Sequence, residues 1–152
     1  MAAIDPDVLK KVTVFSTVSP EGRAKLVEAA EETEHPEGAE LTQEGVVGHR
    51  FHLLLEGNGV VLRNGTPIAS VHAGDFVGEI ALLGGGRYTA TVRCTATTRC
   101  LSIEREAFWS LLEQEPAIAL RILEVVCRRT EQLMGATPTA NFIGGWGHLD
   151  DE

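Results

Sequence analysis

A chain of 152 residues with 43% hydrophobic and 23% charged residues and a mean hydropathy near zero fits one globular domain. Such a chain buries about two-thirds of its unfolded surface, which excludes disorder as the starting assumption. Its net charge of −9 argues against a broad nucleic-acid surface, because phosphate backbones are held chiefly by clustered Lys and Arg, so no direct nucleic-acid binding is expected. No apolar run approaches the ~20 residues that span a bilayer. Met1-Ala2-Ala3-Ile4-Asp5-Pro6 lacks the basic, then apolar, start of a signal peptide, so a cytoplasmic protein without membrane contact is expected.

Asp5-Pro6-Asp7 opens a short helical pattern through Lys11, with Phe15 as an anchor behind it. Ser19-Pro20-Glu21 starts a second helix, with a capping hydroxyl, proline at the first helical position, and Ala24, Leu26, Val27 and Ala30 as its apolar stripe; His35-Pro36 stops it. From Glu37 the period changes to short runs rich in Val, Leu, Ile, Thr and Phe, bounded by turn residues every eight to twelve positions, which is a β-sandwich or barrel pattern. The runs are Ala39 to Gln43, Arg50 to Glu56, Gly59 to Arg63, Thr66 to His72, Phe76 to Val77, Thr89 to Thr95 and Arg99 to Glu104. Asn64-Gly65 marks a tight hairpin turn, since both residues tolerate positive φ. Glu79 to Leu83 can form only a short helical turn inside this β pattern. After Ile103 the helical period returns, over Glu104 to Glu115 with Phe108, Leu111 and Leu112. Pro116 then marks a break, and Ala117 to Met134 reads as a longer amphipathic helix with Leu120, Leu123, Val126 and Leu133. The fold class expected is mainly β with flanking α: an eight-stranded jelly-roll-type β-barrel with short N-terminal helices, a helical insertion and two C-terminal helices. Residues 1–135 form the domain, and 136–152 a tail that docks, if at all, through Phe142 and Trp146.

Catalytic signatures are absent: there is no Gly-x-Ser-x-Gly elbow, His-Glu-x-x-His pair, P-loop or dinucleotide fingerprint, so no enzyme is expected. His49-x-x-His52 places its members on opposite faces of a strand, so neither a metal nor a cofactor is expected. Cys94, Cys100 and Cys127 lack Cys-x-x-Cys spacing and read as reduced core thiols, with a Cys94–Cys100 bridge as the lesser alternative. Arg128-Arg129, beside Glu124 and Glu131, reads as a solvated helix face. The chemistry concentrates in Gly74-Asp75-Phe76-Val77-Gly78-Glu79-Ile80-Ala81-Leu82-Leu83-Gly84-Gly85-Gly86-Arg87-Tyr88-Thr89-Ala90-Thr91-Val92. N–H groups opening the helical turn at Gly78-Glu79-Ile80-Ala81 carry partial positive charge and suit a phosphate. Glu79, acceptor-only when ionised, suits sugar hydroxyls instead. A ribose phosphate satisfies both; a Glu79 that merely caps the turn is the alternative.

Phe76-Val77-Gly78-Glu79-Ile80-Ala81-Leu82-Leu83 followed by Thr89-Ala90-Thr91-Val92 resembles the phosphate-binding cassette of cyclic nucleotide-binding domains, the sensor module of protein kinase A regulatory subunits and the catabolite activator protein. Phe15, Glu37-Gly38-Ala39-Glu40-Leu41, Glu44-Gly45 and Phe51 to Gly57 extend the likeness across roughly Ile4 to Met134. The resemblance implies that Glu79 accepts the ribose 2′-OH and that the N–H groups around Ile80 and Ala81 hold the cyclic phosphate, with Gly78 allowing close approach. It also implies that Thr89, next to Ala90, contacts phosphate or base, and that Leu133 and Met134 on the last helix cover the base. The family's phosphate-binding arginine falls at position 88, where this chain has Tyr88; Arg87 lies one residue early, and the phosphate is expected to meet either Arg87, swung inward on the slack of Gly84-Gly85-Gly86, or the Tyr88 hydroxyl.

A non-catalytic regulatory protein that binds a cyclic nucleotide, cAMP ahead of cGMP, is therefore expected, with affinity weakened by the displaced arginine. The alternatives are an interaction module that keeps the fold without a ligand, and a fragment of a transcription regulator, since the eighteen residues after Met134 are too few for a helix-turn-helix. The expected partners are the cyclic nucleotide, an unidentified protein effector and, through Ala117 to Met134, a second copy of the chain.

Overall fold

The computed structural model of the chain describes residues 5–11 and 13–136. The tail with Phe142 and Trp146, and the side chains of Leu133 and Met134, lie outside the described residues. Two 3-10 turns, Pro6–Lys11 and Thr13–Phe15, precede helix α1, Pro20–Ala29. Ser19 caps α1 as its sequence suggests: the Gly22 backbone N–H donates to Ser19 Oγ at 3.0 Å, and Pro20 supplies the first helical φ.

The helix does not run on to His35-Pro36. It stops at Ala29, and Glu31–His35 forms an edge strand, β1, paired antiparallel with a later strand. Pairing to a preformed edge overrides local propensity there, and the alternation of Glu32 and Glu34 with Thr33 and His35 suits a strand with one face turned inward. The other strands are β2 (Glu40–Thr42), β3 (Arg50–Glu56), β4 (Asn58–Arg63), β5 (Thr66–His72), β6 (Phe76–Val77), β7 (Thr91–Cys94) and β8 (Thr98–Glu104). They form two four-stranded antiparallel sheets in the orders β1-β8-β3-β6 and β2-β7-β4-β5. The β4–β5 hairpin turns on Asn64 (φ 52°) and Gly65 (φ 79°), the positive pair its sequence announces.

Alternation on β3 and β8 divides the core. Phe51, Leu53, Leu101 and Ile103 face Phe15, Leu26, Phe108, Leu111 and Ile118 on the helical side. Leu54 and Cys100 point the other way, to Val61, Val71, Val92 and Cys94 between the sheets. The first sheet is thus a middle layer, buried on both faces.

Helix α2, Glu79–Leu83, interrupts the β pattern, and helices α3 (Arg105–Gln114) and α4 (Pro116–Ala136) close the described chain. On α4 the buried positions are Ile118, Ile122 and Arg129, whereas Leu120 and Leu123 are exposed. The apolar stripe expected through Leu120 and Leu123 is therefore the outward one. Cys127 is exposed, unlike buried Cys94 and Cys100, so only two of the three thiols are core groups. No described helix is long and apolar enough to cross a membrane.

Candidate ligand-binding site

Gly78 turns β6 into α2 with φ 95°, and a Cβ on it would lie 2.6 Å from the Arg50 carbonyl oxygen, so the position admits only glycine. The turn drives the Glu79 side chain into the interior, where the residue is 0% exposed. Neither carboxylate oxygen accepts a hydrogen bond among the described residues. Burial pushes the Glu79 carboxyl up to about 7, with the Arg129 guanidinium pulling the other way. Arg129 Nη1 stands 3.7 Å from Glu79 Oε2, its Nη2 donates to the Phe76 carbonyl at 3.4 Å, and its guanidinium lies 4.8 Å above the Phe76 ring. Arg129 is thus 5% exposed and belongs to the cassette rather than to the solvated face read for Arg128-Arg129.

The limb returning from α2 is fixed by ladder-like bonds to the loop before β3. Tyr88 N–H donates to Val46 O, Gly45 N–H to Tyr88 O and Gly48 N–H to Gly86 O, with an antiparallel bridge between Val47 and Arg87. Such pairing gives neighbouring side chains opposite faces. Arg87 goes outward: it is exposed, and its Nη1 donates to the Gly45 carbonyl at 2.8 Å. Tyr88 goes inward. Its hydroxyl donates to the Arg50 carbonyl at 2.9 Å and accepts from the N–H groups of Arg50 and His49 at 3.0 and 3.3 Å. One side chain thereby satisfies the backbone at the mouth of β3, and its single proton is already committed.

Gly78, Ile80, Ala81, Tyr88, Thr89 and Ala90, all singled out from sequence, come together with Thr42 around a recess of about 10 Å³, room for a single water. Thr89 Oγ1 is buried there without a hydrogen-bond partner among the described residues. The recess and the Glu79 carboxylate thus combine helix-opening N–H groups with three unsatisfied side-chain oxygens. That donor and acceptor set fits a small polyhydroxylated anion.

Two further residues hold α2 from behind. Arg105 Nη2 donates to Gly48 O and Ala81 O, and Trp109 Nε1 donates to Leu82 O at 3.0 Å. With the Gly84 N–H on Ile80 O and the Gly86 N–H on Ala81 O, the bonds to Ala81 O and Leu82 O satisfy the carbonyl end of this five-residue helix. Arg105, Trp109 and Arg129 reach the cassette from 24 to 53 residues downstream, and nothing in their local sequence announces that reach.

The family model for the cyclic nucleotide-binding domain matches residues 32–115. The cAMP-dependent protein kinase regulatory subunit of Neurospora crassa is 31% identical over 127 residues, which cover 82% of this chain and 33% of that protein. The solved structure of cAMP-bound PfPKA-R (141–441) superposes with a TM-score of 0.69 at 26% identity, covering 79% of this chain and 42% of the other. The catabolite activator protein of Thermus thermophilus shares the fold with a TM-score of 0.70 at 23% identity, over 78% and 58% of the two chains. The chain spans between 22% and 34% of the length of the curated regulatory subunits it matches. With its cassette, its two sheets and a family model matched across most of both, the chain belongs to the cyclic nucleotide-binding domain family.

Proposed function

We propose that this chain is a non-catalytic regulatory module that binds a cyclic nucleotide, cAMP ahead of cGMP, with low affinity. The observation that carries the reading is Glu79: a fully buried carboxylate whose oxygens accept no hydrogen bond among the described residues. Leaving such an acceptor unmet costs about 1–3 kcal/mol, a penalty that a ribose hydroxyl donating to it removes. Thr89 Oγ1, equally unmet, donates to a phosphate oxygen, and the N–H groups of Ile80 and Ala81 face the same anion. The resemblance assigns Glu79 and the Ile80 and Ala81 N–H groups the same roles, and Thr89 a contact with phosphate or base.

Low affinity follows from the phosphate position. Arg87 points outward and Tyr88 spends its proton on the Arg50 carbonyl, so no side-chain cation meets the phosphate from this limb. A missing buried guanidinium costs on the order of 2–5 kcal/mol of binding. The recess of about 10 Å³ also requires the Tyr88 ring to move before a nucleotide enters. This closure favours a second reading, an interaction module that keeps the fold and has no ligand.

Isothermal titration with cAMP and cGMP separates the two. Weak binding by the wild type that disappears in Glu79→Ala supports the sensor. No heat at millimolar nucleotide, in the wild type and in Tyr88→Arg alike, supports the ligand-free module.

A further inference from the structure

On the inward face of the first sheet, where His52 pairs with Val77 beside the cassette, three strands bring together side chains that distant sequence positions do not announce. His35 comes from β1, Cys100 from β8 and His52 from β3, and one potential ligand atom from each lies within 4.8 Å of the other two. Thr33 and Leu54 flank Cys100 in register, and Ser102 stands opposite His52, so the group occupies adjacent rungs of one rigid sheet. His52 and Cys100 are buried and His35 is half-buried, giving the cluster one side nearer solvent. The rings meet edge to face, with centroids 5.9 Å apart.

Two hydroxyls set the rings. His52 Nδ1 and Ser102 Oγ are 2.8 Å apart, Ser102 Oγ and Thr33 Oγ1 are 2.8 Å apart, and Thr33 Oγ1 lies 2.9 Å from His35 Nε2. The backbone of Leu41 also bonds the His52 ring, and metal ligation through that ring nitrogen displaces this bond. Oxygen partners of this kind fix ring orientation at metal sites. The surrounding space between the sheets is filled by Leu54, Val61, Val71 and Val92, an apolar shell that keeps water from that side of the trio.

We propose that His35, His52 and Cys100 form a binding site for one thiophilic transition-metal ion of the Zn2+ and Cu+ class. Two nitrogens and one sulfur select these ions, and the lack of a carboxylate in the trio disfavours Mg2+ and Ca2+. Metal bonds of about 2.0–2.3 Å bring ligand atoms to within about 4 Å of one another, so side-chain adjustment of about an ångström closes the site. Binding breaks the Cys100 S–H bond, forms a sulfur–metal bond and releases the proton to solvent. Cu+ leaves the trio neutral, whereas Zn2+ leaves one positive charge and takes water as a fourth ligand.

The test is titration of the full chain, stripped with chelator and reduced, with Co2+ as a spectroscopic probe, followed by competition with Zn2+ and, anaerobically, with Cu+. One Co2+ per chain with a thiolate-to-cobalt absorption band is expected. The band should persist in Cys127→Ser, which removes the exposed thiol, and disappear in Cys100→Ser. His52→Ala should weaken affinity by at least about a hundredfold, and Ser102→Ala by about ten- to a hundredfold through the ring it orients. Displacement by Zn2+ or by Cu+ identifies which ion the site prefers. Absence of the band together with no bound Zn2+ or Cu+ overturns the proposal, as does a band that survives Cys100→Ser. If Cys100→Ser or His52→Ala fails to fold by circular dichroism, His35→Ala on the half-buried ring decides: affinity unchanged within threefold also overturns it.

Discussion

Glu79 makes the folding free energy depend on pH. Its carboxyl titrates near 7 in the folded chain because burial disfavours the charge, and near 4.5 in the unfolded chain. Below pH 4.5 both states hold the proton and nothing changes. Between 4.5 and 7 the unfolded state releases it while the folded state keeps it, so stability falls as pH rises; above 7 the loss is complete. Urea unfolding across this window should show a decline on the order of 3 kcal/mol, and Glu79→Gln should flatten it. Nucleotide binding should show the complementary trend. A ribose hydroxyl donates best to the ionised carboxylate, so affinity for cAMP should rise between pH 6 and pH 8, with proton release at the lower pH. Identical calorimetric heats in buffers of different ionisation enthalpy at pH 6 would count against that coupling. Tyr88→Arg tests the other half of the site. It exchanges three hydrogen bonds to the start of β3 for a guanidinium at the phosphate, so it should tighten cAMP binding more than about tenfold while costing about 1–3 kcal/mol of stability.

Arg129 transmits the charge of the cassette to helix α4. It stands 3.7 Å from Glu79 and stacks on Phe76, so Arg129→Ala leaves a buried carboxylate without its cation. At pH 8, where Glu79 is mostly ionised, the change should cost about 1 kcal/mol more than at pH 5, because a carboxyl that titrates near 7 takes up a proton once its cation is gone. At pH 5, where the carboxyl is protonated, packing, the ring contact and the bond to the Phe76 carbonyl remain, about 1–2 kcal/mol in all. Equal costs at the two pH values, measured by urea unfolding, would falsify the pairing. The sequence makes this element half legible. Glu79, Gly78 and the Thr89-Ala90 step are visible as a cassette because their spacing is local, and the β4–β5 hairpin is visible because Asn64-Gly65 can do little else. Arg129 is not visible: beside Arg128 and between two glutamates it has the composition of a wet surface, and only the docking of α4 onto β6 reveals a buried face. β1 escapes for the same reason. Glu31–His35 is acidic and follows a helix, and its strand character comes from β8, nearly seventy residues away. The inward turn of Tyr88 needs the bridge between Val47 and Arg87, a pairing that no window of local sequence contains. The trio of His35, His52 and Cys100 is hidden by the same rule, since three strands contribute one ligand each.

At the scale of the molecule, Phe76 joins the cassette to everything that packs on the middle layer. Its ring lies 6.3 Å from Phe15 at the N-terminal turn and 5.4 Å from Phe51 on β3, with the Arg129 guanidinium over its face. Phe51 in turn stacks on Phe108 of α3 at 4.7 Å. Four segments far apart in sequence therefore share one aromatic cluster, and none can leave it without opening a cavity beneath β6. If the chain unfolds as one cooperative unit, a truncation at the N-terminal end of this cluster must be felt at its C-terminal end. Phe15→Ala should cost about 3–5 kcal/mol, and native-state hydrogen exchange should show the loss of protection in α4 and in β3 by the same amount as around residue 15. A loss confined to residues 5–30, with β3, β8 and α4 keeping wild-type exchange rates, would mean that the N-terminal turns and α1 open as a separate unit. The fully buried positions of Phe15, Phe51, Phe76 and Phe108 argue for the first outcome, because a ring with no solvent-facing edge has no route to partial exposure except through its neighbours.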